Sequence, residues 1–414
     1  MNKLILTFLC FLVYANSLNG AFVSDDIGGI VARIPNAQPF LYHLLNVSLH
    51  CLATILVFYF LKRFFKPLTS LLGASLFAVH PIHAEAVSWI SGRPYIIMAL
   101  ITLGIYFFYQ YKKLYPLALA LFIYYSLTSF HYCILITGFL ILTSKKKEWL
   151  KWLPFTLVLP IVLFLHKFSI QNRISFVSKE AGGMKWTNPI FNMAYSLFEH
   201  TKLLIYPAKL TLYHEPAVIT RFVLNCELAI LILLLFSLPF IFKKAREVFL
   251  AIGIFVLFLG FTYSPVMVAW LVAERYLYLP VLSLSLILCF LHEKCFKEVK
   301  PALILFIAII SIYGVGTVAR NEDWKTPSKF WRSTVEASPL SPRAHINMGD
   351  IYHKEGNIAG AINEFTRATQ LKPDYAEAYY NLANVYRNKG ETENADKLYG
   401  YAISLKPSLK DIKK

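Results

Sequence analysis

The strongest constraint on this chain is a succession of hydrophobic runs, separated by short polar gaps, that extends to residue 319. A helix needs about 20 apolar residues to cross the hydrocarbon of a bilayer, fewer where its ends are shielded by protein. Runs at 4–18, 42–61, 68–79, 95–111, 115–129, 131–143, 150–166, 223–242, 248–262, 277–291 and 301–319 predict about eleven transmembrane helices. In the 115–143 region the break falls at "TSFHY"; merging the two short halves into one span would invert everything downstream.

Composition agrees with a membrane protein, because 57% of residues are hydrophobic and 16% charged, against about 25% charged in an average soluble domain. The net charge of +17 would suggest a nucleic-acid partner in a soluble protein. Here the bases sit in alternate gaps: Lys62, Arg63 and Lys66; Lys112 and Lys113; Lys145, Lys146 and Lys147; Lys243, Lys244 and Arg246; Lys294, Lys297 and Lys300. Cytoplasmic loops carry that pattern, so no nucleic acid is expected. The six cysteines follow no ligand or disulfide spacing. Residues 1–18 read as a cleaved signal peptide or as an uncleaved anchor, and the anchor leaves the following loop outside.

On the anchor reading, polar chemistry gathers on the exoplasmic side. That side holds Asp25 and Asp26, the segment "HPIHAEAVSWISGRP" (80–94), a long stretch from 167 to 222, and "ERYLYLP" (274–280). Within the long stretch, Leu197, Thr201, Leu204 and Ile205 form one helical stripe, with Glu199, His200 and Lys202 elsewhere, as in a helix lying in the interface.

After the last run an internal period of 34 residues appears, the length of a tetratricopeptide repeat. Ala344 recurs as Ala378, Asn347 as Asn381, Tyr352 as Tyr386, Gly356 as Gly390, Ala361 as Ala395, Ala368 as Ala402 and Pro373 as Pro407. The expected organisation is an all-α chain: a membrane domain over 1–320, a linker and half-repeat helix over 321–341, and two repeats over 342–414. Only seven residues follow Pro407, so no capping helix is expected over the last face. Asn347, Tyr352, Asn381 and Tyr386 are the candidates for holding a protein acceptor or partner.

The segments "AFVSDDIGGI", "YHLLNVSLHCLATILVFYFL", "GASLFAVHPIHAEAVSWISGR" and "ERYLYLP", followed by the repeats, resemble the transmembrane and tetratricopeptide repeat-containing (TMTC) family. That resemblance implies a glycosyltransferase of the GT-C fold, a multi-spanning enzyme that takes a sugar from a polyprenyl-phosphate donor. Animal members are linked to protein O-mannosylation. Asp25 matches the first acid of the acidic pair in the first exoplasmic loop of such enzymes, and so stands as the candidate base. A carboxylate that takes the proton of an attacking Ser or Thr hydroxyl contributes typically about 10² to 10⁴ in rate. Asp26 would raise its neighbour's proton affinity or orient an acceptor or a metal. A solvated acidic turn is the competing reading.

The leaving group is a phosphate, which calls for a cation at the membrane surface. Arg275 is the first choice, with Glu274 holding it; a snorkelling, ion-paired arginine is the alternative. Arg93, His80 and His83 are further candidates for the lipid phosphate, and Arg173, Lys179 and Lys185 lesser ones. His80, His83 and Glu85 do not form a metal set on one helix, since Glu85 points about 160° away from His83. Two histidines with Asp25 or Asp26 could hold a divalent metal, but no metal site is assigned. The chain departs from its relatives in reading Ser129-Phe130-His131 where they commonly carry Ser-Lys-Glu, and in a short first exoplasmic loop.

The expected function is transfer of a sugar, mannose being one candidate, from a polyprenyl-phosphate donor to a protein hydroxyl on the exoplasmic face. The alternative is a catalytically inactive scaffold that docks partners through its repeats. A secondary transporter would need ionisable residues within paired, broken spans, and no such internal symmetry is present. The short array favours a bacterial plasma membrane; in a eukaryote the same face would be the endoplasmic reticulum lumen.

Overall fold

The computed structural model describes residues 1–26, 33–34, 36–128, 130–144, 149–172, 189–214, 245–263, 270–296 and 299–411, and every regular element among them is helical. The expected run at 223–242, Ser129, the bases at 145–147, 243–244 and 297, and Arg173, Lys179 and Lys185 lie outside these residues.

The apolar runs form α1 (Asn2–Tyr14), α2 (Pro39–Leu61), α3 (Pro67–Val79), α4 (Arg93–Gln110), α5 (Tyr115–Thr128), α6 (Phe130–Thr143), α7 (Trp149–Leu165), α9 (Arg246–Leu259), α10 (Val281–Phe290) and α11 (Val299–Asp323), while α8 (Pro189–Ile205) follows the long loop. Proline opens α2 and α3, where its missing N–H would have had no helical partner in any case. Three helical stretches among the described residues are long and apolar enough to cross a membrane: Pro39–Leu61, Ile90–Gln110 and Lys300–Asp323. Ten of the eleven expected runs coincide with helices among the described residues, but only three helical stretches there have the length and apolar character of a full span, so the expected count of about eleven transmembrane helices is not reached.

The break at "TSFHY" is a reversal of the chain. Tyr125 and Tyr132 stack with ring centroids 5.0 Å apart. Seven residues of unbroken helix rise about 10 Å, so these rings meet only if α5 and α6 fold against each other.

The bundle has two unlike ends. At one, Lys3 lies over the ring of Tyr59, the Lys66 amide donates to Glu293, and Thr69 bonds His292. At the other, the exits of α1 and α11 are sewn together: Asn321 donates to Val13 O at 2.8 Å, Asn16 donates to Glu322 at 2.9 Å, and the Ala21 amide donates to Lys325 O at 2.8 Å.

The C-terminal repeats are α13 (Pro342–Lys354) with α14 (Ile358–Leu371) and α15 (Ala376–Asn388) with α16 (Thr392–Leu405), preceded by the half-repeat helix α12 (Pro327–Ala337). Ala344, Ala361 and Ala368, and their counterparts Ala378, Ala395 and Ala402, are all fully buried where the helices close on each other. Gly356 and Gly390 take φ of +76° and +88° in the turns between paired helices, a conformation that costs other residues about 1–2 kcal/mol. A final turn, Pro407–Asp411, lays Leu409 against Ala376 and Ala402, a small cover that the expectation of an uncapped face did not include.

Candidate active site at the acidic end

The acidic loop is anchored through its second carboxylate. Asp26 is fully buried; one of its oxygens accepts from the Ser91 amide at 2.8 Å and from Ser91 Oγ at 2.5 Å, and the other from the Val23 amide at 3.3 Å. Burial raises its carboxyl above the ordinary value, opposed by those hydrogen bonds. Asp25 is left exposed, makes no hydrogen bond or ion pair among the described residues, and acts electrostatically on Tyr213. One acid of the pair holds the loop while the other is presented.

Ser91 reaches Asp26 because the 80–94 segment folds tightly on itself. A Cβ at Gly92 would come within 2.6 Å of Glu85 O and 2.8 Å of Ala86 Cα. Beyond it, Arg93 Nε donates to Asn46 Oδ1 at 2.6 Å, and Asn46 Nδ2 donates to Val87 O at 3.1 Å. Arg93 is half-buried beside the Tyr42 ring and within electrostatic reach of Asp26, and its Nη1 carries no hydrogen bond among the described residues.

Arg275 is held differently from expectation. Its amide donates to Glu85 Oε2 at 2.6 Å, its Nη1 pairs with Glu85 Oε1, and its guanidinium lies over the rings of Trp89 and Tyr276. Glu274 turns instead to Arg320 Nη2 at 3.0 Å, with His214 Nε2 3.6 Å away, while Arg320 Nη1 donates to Asp323 at 2.9 Å. Residues Glu274–Leu277 form a 3-10 turn, in which neighbouring side chains diverge by about 120°, so adjacent charges find separate partners. Burial works against the Arg275 charge, but the Glu85 carboxylate outweighs it and holds the guanidinium above its ordinary value.

His80 and His83 are not presented to a lipid phosphate. Both are fully buried: His80 Nε2 donates to Leu204 O at 2.9 Å and its Nδ1 accepts from the Ile82 amide, while His83 Nε2 donates to Tyr278 O at 2.9 Å. Burial lowers His80 to about 4 and His83 well below its ordinary value, so neither is a cation at neutral pH. Among the described residues no three His, Cys, Asp or Glu side chains gather as a metal set.

The α8 helix also differs from its reading. Its buried face carries Ser196 and His200 beside Leu197, Leu203 and Leu204, while Ile205 is 60% exposed. Ser196 Oγ lies 2.9 Å from Thr262 Oγ1 and donates to Leu271 O at 3.2 Å, and His200 Nδ1 donates to Ser196 O at 2.7 Å. A hydrophobic stripe cannot reveal polar residues that are buried because they bond one another. Glu85, Ser91 and Arg320 were likewise missed as partners. Asn46, a polar residue in an apolar run, was a signal in plain view.

An aromatic cluster of Trp89, Trp324, Phe330 and Trp331, with Val23 and Leu212, joins this end to Met348 of the first repeat. Asn347 Nδ2 donates to Tyr213 Oη at 3.4 Å, whereas Asn381 at the equivalent position donates to Asp350 of the preceding repeat at 3.2 Å. Tyr213 thus occupies the place that an earlier repeat would fill. Tyr352 and Tyr386 pack half-buried between the helices.

Comparison with known proteins adds an independent line. The tetratricopeptide repeat models match residues 349–390 and 376–409. The chain is 26% identical to protein O-mannosyl-transferase F38B6.6 of Caenorhabditis elegans, covering 81% of this chain and 51% of that protein. It is 23% identical to human protein O-mannosyl-transferase TMTC3 (81% and 43% covered) and 25% identical to human TMTC1 (82% and 46%). The chain spans about half the length of these relatives. The similarity runs through the membrane helices as well as the repeats, so over most of its length this chain is similar to proteins of the transmembrane and tetratricopeptide repeat-containing family.

Proposed function

We propose that the chain is a membrane glycosyltransferase that moves a sugar from a polyprenyl-phosphate donor to a Ser or Thr hydroxyl of a protein, at the acidic end of its bundle. Similarity to proteins named protein O-mannosyl-transferase supports the reaction class and favours mannose as the sugar. The observation that carries the site is the division of labour in the acidic pair, with Asp26 fastened to Ser91 and Asp25 left without a partner among the described residues.

In this reading Asp25 takes the acceptor hydroxyl proton as the oxygen bonds the anomeric carbon, and the bond from that carbon to the phosphate oxygen breaks, releasing polyprenyl phosphate. Positioned base catalysis of this kind contributes typically about 10² to 10⁴ in rate. Arg93, with an N–H group to spare, is better placed to meet the phosphate than Arg275, whose guanidinium is engaged with Glu85. The Glu85–Arg275 and Glu274–Arg320 pairs then act as the frame. The basic end faces the cytoplasm, and the site and repeats face the periplasm of a bacterium or the lumen of the endoplasmic reticulum. The repeats, continued into the membrane domain by Tyr213, hold the protein acceptor beside the acidic loop.

The reading is tested by supplying purified protein in lipid with radiolabelled polyprenyl-phosphate mannose and a Ser/Thr-rich acceptor. Label in the acceptor supports it. A second reading, a partner-binding scaffold, draws on the open outer face of α16, where Tyr401 is 46% exposed. Capture of a protein partner without transfer from any of several donor sugars selects the scaffold.

A further inference from the structure

The basic end of the bundle, remote from the acidic loop, holds a groove of about 610 Å³ between the start of α1 and the end of α2. Its lining includes Lys3, Phe58, Tyr59 and Lys62 and contains no acidic residue. The Lys3 ammonium stands 5.4 Å from the Tyr59 ring centre, and that of Lys62 stands 6.0 Å from the same ring and 5.7 Å from Phe58. Neither lysine has an ion-pair partner among the described residues. Two like charges gathered around one ring repel each other unless an anion sits with them. Glu293, a carboxylate at this end, is engaged with the Lys66 amide at 2.7 Å.

Below the groove the surface is apolar. Leu4, Phe8 and Leu12 are 74%, 68% and 56% exposed along one side of α1, and Leu52 and Leu45 are 48% and 45% exposed on α2. A cationic mouth above rows of exposed aliphatic and aromatic side chains matches a molecule with an anionic head and an apolar tail. We propose that this groove binds the phosphate headgroup of an anionic phospholipid from the leaflet bordering the basic end, with its acyl chains laid along α1 and α2. Lys3 and Lys62 bracket the phosphate, and Tyr59 sits at headgroup depth, where amphipathic rings are favoured. A free phosphate ion would use the lysines and leave the apolar rows bare, so the lipid is the better match.

The test is native mass spectrometry of the full chain released from nanodiscs of phosphatidylcholine containing a minor fraction of phosphatidylglycerol. A juxtamembrane lysine contributes about 1 kcal/mol of attraction to anionic lipid, so Lys3→Gln/Lys62→Gln should lower retained phosphatidylglycerol at least about tenfold and leave phosphatidylcholine unchanged. Lys3→Arg/Lys62→Arg should retain it, as should Lys112→Gln/Lys113→Gln, which removes the same charge elsewhere at this end. Equal retention by the double Gln variant and wild type overturns the proposal. So does an equal loss in the Lys112/Lys113 variant, which would signify diffuse attraction, or displacement of the lipid by millimolar inorganic phosphate.

Discussion

Ser91 donates two hydrogen bonds to one oxygen of Asp26, from its amide at 2.8 Å and from its hydroxyl at 2.5 Å, and so ties the acidic loop to the segment that also delivers Glu85 and Arg93. Ser91→Ala removes the hydroxyl bond to a buried carboxyl, worth about 2 kcal/mol. The expected result is faster hydrogen exchange in residues 21–26 and a roughly tenfold loss of transfer, smaller than the base-catalysis loss of about 10² or more at Asp25. Exchange unchanged from wild type would show that the loop is held by other means.

The Glu85–Arg275 pair supplies a second expectation. Removing one partner of a buried ion pair strands the other, at a cost of about 3–5 kcal/mol. Glu85→Ala should therefore lower the thermal midpoint of the full chain in detergent markedly, and Glu85→Leu/Arg275→Met should recover much of the loss. A double variant as unstable as the single would mean that Arg275 serves the fold through contacts other than Glu85.

What the sequence could show follows from what each feature depends on. Helix positions depend on local apolar runs, and the 34-residue period on residues that pack only against the next repeat; both were readable. Asp25 and Asp26 stood out by position, but their division of labour depends on Ser91, 65 residues away, and could not be read from either acid. The pairing of Arg275 was misread because the adjacent Glu274 is the obvious partner on paper, while the 3-10 turn sends it to Arg320. Ser196 and His200 were hidden for a related reason, since burial satisfied by Thr262 and Leu271 leaves no trace in a hydropathy pattern.

The positive φ of Gly356 makes its own prediction. Gly356→Ala places a Cβ in the left-handed region and should destabilise the first repeat by about 1–2 kcal/mol, although no neighbouring atom obstructs it. Protease sensitivity between α13 and α14 should rise while α1 to α11 stay protected. An unchanged cleavage pattern would contradict the assignment of strain to that turn.

His345 gives the repeats a pH dependence. Its Nδ1 lies 2.6 Å from Glu364 and its Nε2 donates to Pro339 O at 3.0 Å. Burial opposes the charge, but Glu364 outweighs it and the pKa is raised above 6.5. A histidine raised in the folded state adds stability that is fully present below its ordinary value and lost as pH rises through the raised one. Hydrogen-exchange protection of α13 and α14 should be greater at pH 6 than at pH 9, and His345→Gln should abolish the difference. Persistence of the difference in the variant would place its origin elsewhere.

The central claim is that Asp25 acts as a base at the acidic end, and it is tested most directly by measuring sugar transfer from radiolabelled polyprenyl-phosphate mannose with wild type and Asp25→Asn side by side in lipid. Asparagine keeps the size and polarity of the exposed carboxyl and removes its ability to take a proton. The account predicts transfer by wild type and a loss of about 10² or more in the variant, with lipid-donor binding and thermal midpoint unchanged. Equal transfer by the two proteins would contradict it.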